Sequence, residues 1–97
     1  MKVVWSPLAL EKLEAAAKFI AFDKPSAAEK WVDDVFDRTN LLGSQPELGR
    51  EVPELLGLNY REIIFGSYRI IYKIESDIKI LTLRNSRQLL NSGDVEL

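Results

Sequence analysis

Hydrophobic positions along this chain change period once, and the change divides it into two halves. From residue 7 to about 42 they recur every three or four positions; from 60 to 84 they recur every second one. Val3-Val4-Trp5 reads as a short first strand. Ser6 is a good helix N-cap and Pro7 a good first helical residue, so a helix is expected to start there. Leu10, Leu13, Ala17 and Ile20 are its expected apolar stripe, opposed by Glu11, Glu14 and Lys18. Pro25, in "FDKPSA", ends that helix and opens a second. Ala28, Trp31, Val32, Val35, Thr39 and Leu42 form the stripe of the second, with Gly43 placed to cap it.

"SQPELGREVPELLGLN" carries two prolines and two glycines, and reads as a loop with room for one helical turn. In "SYRIIYKIE" the alternation sets Tyr68, Ile70, Tyr72 and Ile74 on one face and Arg69, Ile71, Lys73 and Glu75 on the other. In "IKILTL", Ile78, Ile80 and Thr82 oppose Lys79, Leu81 and Leu83. Residues 60–84 therefore predict three antiparallel strands joined by short turns. The expected fold is α+β: a short N-terminal strand and an antiparallel helical hairpin packed on a three- to four-stranded antiparallel sheet. The tyrosine face is expected beneath the helices, which leaves Arg69 and Lys73 on an open face. Residues 1–90 are expected to form a single domain, followed by a polar tail, 91–97, that frays.

Composition removes several kinds of chemistry. The 97 residues include no cysteine and no histidine. Disulfides, cysteine nucleophiles, histidine bases and His-based zinc sites are therefore excluded. No phosphate-cradling glycine motif is present, and no cofactor or metal is expected. No apolar run approaches the ~20 residues that span a bilayer, and the N-terminus becomes charged too early for a signal sequence. A cytoplasmic protein without a membrane partner is expected.

The net charge of −2 hides an asymmetry. Residues 59–90 carry Arg61, Arg69, Lys73, Lys79, Arg84 and Arg87 against Glu62, Glu75 and Asp77. Arginine grips carboxylate or phosphate through a planar fork, so this half is suited to an anion or an acidic partner. The plain alternative is a set of surface residues on a two-sided sheet, with Arg69 and Arg61 paired to Glu62 or Glu75. Trp5 and Trp31 read as core anchors rather than base-stacking platforms, and Tyr68 and Tyr72 as structural. Asp33, Asp34 and Asp37 read as a solvated helix face.

"WSPLALEKL", "PSAAEKWVDDVF", "PELGREVPEL", "YREIIFGSYRIIYKI" and "ILTLRNSRQLL" occur in the order seen in the RelE/ParE superfamily of bacterial type II toxins. The chain resembles that superfamily over roughly residues 3–90. The resemblance implies a growth-arresting toxin neutralised by a cognate antitoxin whose segment wraps the toxin surface. RelE-like members cut mRNA on the ribosome, which needs proton-transfer groups as well as cations. Here no Tyr follows Tyr72, and Asn85-Ser86-Arg87-Gln88 stands where basic residues with a Tyr or His are typical. ParE-like members poison DNA gyrase and need no hydrolytic residues of their own. The resemblance is nearer to that branch, although many relatives have His in the position of Asn85. The expectation is therefore a ParE-like gyrase inhibitor that is not an enzyme. The alternatives are a ribosome-dependent mRNA endonuclease and a non-toxic, antitoxin-binding relic. No catalytic residue is assigned. Arg61, Arg69, Arg84 and Arg87 are the candidate functional arginines, and with Lys73 and Lys79 they form the expected partner-binding set.

Overall fold

The computed structural model describes residues 1–86, 90 and 92–95. Strand β1 (Val3–Trp5) leads into helices α1 (Pro7–Asp23) and α2 (Pro25–Asn40), which form a hairpin with Lys24 alone between them. A two-residue strand β2 (Arg50–Glu51) follows, and then β3 (Tyr60–Phe65), β4 (Tyr68–Ile74) and β5 (Ile78–Asn85). Short 3-10 turns lie at Leu41–Gly43, Pro53–Leu55 and Ser92–Asp94.

The local signals act as expected where they are chemical. The Ser6 hydroxyl accepts from the Ala9 N–H at 3.0 Å and donates to the Leu81 carbonyl at 2.9 Å, so one side chain caps α1 and ties it to β5. Pro7 and Pro25 open the two helices. The α1 stripe is rotated from the expected one. Ala9, Leu13 and Ala16 are buried, whereas Leu10 is 46% exposed. Small residues face the sheet, which lets the helix lie close against it.

The sheet has five strands in the order β1-β5-β4-β3-β2, more than the expected three or four. It is mixed rather than purely antiparallel, because β1 runs parallel to β5 with Val3 opposite Ile78 and Trp5 opposite Ile80. The hairpin between β1 and the rest of the sheet supplies the crossover that a parallel pair requires. Strand β2 comes from the segment read as loop. It is recruited to the edge by pairing of Arg50 with Glu62 and Glu51 with Arg61.

Register in the last strand departs from simple alternation. Ile71 pairs with Thr82 and Tyr72 with Ile80, which leaves Leu81 as a bulge. The extra residue reverses the faces beyond it. Leu83 therefore joins Ile78, Ile80, Ile70, Tyr72 and Ile63 in the core beneath the helices, with Val35 and Leu42 from the helical side. Thr82 turns to the far face, where sequence alternation had placed Leu83.

That far face is not open. Val52 and Leu55, from the segment before β3, pack with Ile71, Leu81, Leu90 and Val95 into a second core, with Tyr60 at its border. The described C-terminal residues therefore lie against the sheet, where the polarity of the tail had suggested fraying. β4 is buried on both sides, which explains the uninterrupted apolar run Ile70-Ile71-Tyr72.

Candidate functional site

Alternation along β4 places Arg69 on the face away from the helices, as expected, but not in solvent. The residue is 5% exposed. Its Nε and Nη2 donate to Glu62 Oε1 at 2.8 and 2.6 Å. Nη1 and Nη2 donate to the two carboxylate oxygens of Glu54 at 2.6 and 2.8 Å, the bidentate arrangement that the guanidinium fork favours. Glu62 is fully buried and is held from its other oxygen by Arg50, at 2.8 Å from Nε. Glu54 also accepts the Leu90 backbone N–H at 3.0 Å.

The open-face placement of Arg69 is thus corrected. Glu54 arrives from the turn at Pro53–Leu55 and covers it, while Glu62 reaches it diagonally from β3. The plainer sequence reading had Arg69 and Arg61 as surface residues paired to Glu62 or Glu75. Arg69 does pair with Glu62, but the pair is buried, and Arg61 bonds the Gly49 carbonyl instead. Glu54 gave no periodic signal, since it lies in a segment of prolines and glycines. The hydrogen bonds from Arg69 hold the Glu54 carboxyl at about 2, well below its ordinary 4.5, against the opposing effect of its partial burial. The same two carboxylates raise the already high pKa of Arg69.

The expected cluster of Arg61, Arg69 and Arg84 does not form as a trio. Arg69 stands opposite Arg84 on β5 and Ile64 on β3. The bulge at Leu81 is what turns Arg84 to this face, and its Nη1 donates to Asp94 at 2.9 Å. Arg61 instead pairs across from Tyr72, on the helix-side face, and donates to the Gly49 carbonyl at 2.7 Å. There it helps to hold the segment before β2. The Tyr72 hydroxyl accepts from the Gly49 N–H at 2.9 Å and donates to the Pro46 carbonyl at 2.6 Å. Burial raises the pKa of that phenol. A Cβ at Gly49 would lie 2.5 Å from the Glu62 carbonyl and 2.7 Å from the Tyr72 ring, so this close approach requires glycine.

Lys73 and Lys79 are brought together, directly opposite each other on β4 and β5. Both are half-buried, and Lys73 Nζ lies 5.2 Å from the centre of the Tyr60 ring. Arg87 lies outside the described residues. Trp5 packs edge-on against Phe36 at 5.2 Å and Trp31 against Tyr68 at 5.3 Å, so both indoles serve the helix–sheet core. Asp34 forms a helical ion pair with Lys30.

What this arrangement can do chemically follows from its occupancy. The arginine best placed to stabilise a developing anion already holds two carboxylates. Lys73 and Lys79 lie at the other end of the far face, half-buried and opposite each other. Among the described residues no helix is long and apolar enough to cross a membrane.

Comparison with known proteins agrees with this architecture. A solved structure of the chromosomal ParDE toxin–antitoxin system from P. aeruginosa superposes with a TM-score of 0.73 at 19% identity, over 88% of this chain and 95% of that one. It shows a shared fold. No curated protein sequence matches. The family model for the ParE toxin of the type II toxin–antitoxin system parDE matches residues 3–90, nearly the whole chain. The helical hairpin, the sheet beneath it and the sequence that builds them therefore place this chain in the ParE family of type II toxins.

Proposed function

We propose that the chain arrests growth by inhibiting DNA gyrase and that a cognate antitoxin protein neutralises it in the cytoplasm. The observation that carries the choice of a binding inhibitor over a nuclease is the closure of Arg69. Cleavage of RNA by a ribose 2′-hydroxyl needs a proton acceptor, a proton donor and an accessible cation for the phosphorane. Arg69 is buried between Glu54 and Glu62, the chain has no histidine, and no tyrosine follows Tyr72. A poison that acts by binding needs none of these groups. The basic residues at the surface then serve recognition, for which charge complementarity speeds association and fixes register.

The test is to induce the protein alone in a bacterium and follow labelled uridine, thymidine and methionine incorporation. Filamentation, a DNA-damage response and trapped gyrase–DNA adducts are expected, with rescue by the product of the adjacent gene. Early loss of translation with cut messages would replace this reading with a ribosome-dependent nuclease. Unchanged growth would identify a fold that has lost toxicity.

A further inference from the structure

The cations of the sheet are neutralised unequally. Arg50, Arg69 and Arg84 are held by carboxylates, and Arg61 by a backbone carbonyl. Lys73 and Lys79 differ. They face each other across β4 and β5, half-buried, and among the described residues neither makes an ion pair with an acid. Like charges directly opposite on a sheet repel, and partial burial weakens the screening that water would provide. Among the described residues, Lys73 Nζ is instead set against the face of the Tyr60 ring. This end of the far face thus carries, among the described residues, two cations without an ion-paired acid, which an added carboxylate would engage.

The surroundings narrow what would bring that carboxylate. Lys79 and Glu75 border a hollow of about 350 Å³ between β5 and β1, with Val4 and Leu81 among its walls. Val4 is 38% exposed. An apolar side chain next to an acidic one fits this mixture. A nucleic acid fits poorly, because a phosphate backbone needs a longer cationic track and the whole chain carries −2.

We infer that Lys73 and Lys79, with Tyr60 beside Lys73, form the docking point for an acidic, aliphatic-bearing segment of the protein partner, whose carboxylates meet the two ammonium groups. This rests on the antitoxin reading above, and it confines the contact to one end of the far face rather than to the six cations as a set.

The closing experiment measures association of the purified chain with the product of the adjacent gene, by stopped flow at several salt concentrations. Three proteins are compared: the wild type, the Lys73→Glu/Lys79→Glu double variant, and a charge-matched Lys18→Glu/Lys30→Glu control on the helices. The far-face double variant is expected to associate at least tenfold more slowly at low salt, with a flattened salt dependence. The helix control is expected to stay within about twofold of wild type, since charge near a contact acts chiefly on the association rate. Thermal melts provide a second readout. Lys79→Glu alone should melt at or above the wild-type temperature, because it turns a repulsive cross-strand pair into an attractive one. Equal effects in the two double variants, or none in the far-face one, would overturn the docking point while leaving the partner intact. Failure of the wild type to bind would instead overturn the partner reading and this inference with it.

Discussion

Arg69 carries the largest consequence of any single side chain outside the two apolar cores. Removing it would leave Glu54 and Glu62 facing each other in a space built for their shared cation. Breaking a buried pair in this way costs about 3–5 kcal/mol, far more than a surface substitution. Arg69→Ala is therefore expected to lose toxicity through loss of fold, with urea unfolding shifted by that amount. Arg69→Lys should recover only part of the loss, because an ammonium cannot reproduce the fork. Unchanged stability in Arg69→Ala would contradict the network. The same network sets the behaviour in acid. The Glu54 carboxyl titrates at about 2 in the fold against 4.5 when free, so folding favours its ionised form. That stabilisation is complete above pH 4.5 and is lost as pH falls toward 2. Melting temperature should decline over that interval in the wild type and less steeply in Glu54→Gln. At Gly49, alanine would press on the Glu62 carbonyl and the Tyr72 ring. A loss of about 1–3 kcal/mol is expected from chemical denaturation of Gly49→Ala, as for an overpacked site.

Among the elements, the C-terminal residues and the turn at Pro53–Leu55 change the character of the sheet. Leu90 and Val95 are buried with Val52, Leu55, Ile71 and Leu81, and Leu90 is also bonded to Glu54. The far face is thereby covered by pieces too short to be recognised as elements. Leu90→Ala should cost about 2–3 kcal/mol, the range for deleting buried methyl groups. Guanidinium unfolding decides it, and a cost below 0.5 kcal/mol would mean that the segment does not pack as described. The bulge at Leu81 acts at the same scale. One unpaired residue delivers Leu83 to the helix-side core and Arg84 to the far face.

For the molecule as a whole, the two cores on opposite sides of β4 make that strand the centre of the fold, and the charged residues divide into buried and recognisable sets. Phe22 and Phe19, at 95% and 75% exposure near the end of α1, belong to neither core. Replacing both with serine should change stability by no more than about 0.5 kcal/mol while reducing self-association at high concentration. Thermal melts and light scattering check the two effects. A marked drop in melting temperature would show that the rings support the hairpin.

Much of this protein could be read from order and period alone. The helix starts at Ser6-Pro7 and Pro25, the stripe of α2, and the strands β3 to β5 follow from capping chemistry and from the rule that one face must be buried. Those are local effects, set by neighbours within four residues. The family, too, was visible in five stretches in order. What depended on contacts distant in the chain could not be read this way. Glu54 reaches Arg69 across 15 residues, and Leu90 reaches Glu54 across 36. No periodicity records either contact. The parallel pairing of β1 with β5 joins residues some 75 positions apart across the helical hairpin, and the Leu81 bulge is a property of the β4–β5 register. The sequence did hold one sign of the second core, the run Ile70-Ile71-Tyr72, since a strand with an open face would alternate. Sequence therefore set where charge and apolar surface lie along each element. Long-range packing decided that Arg69 would be sealed between Glu54 and Glu62 and that Lys73 would stand opposite Lys79 at one end of the far face.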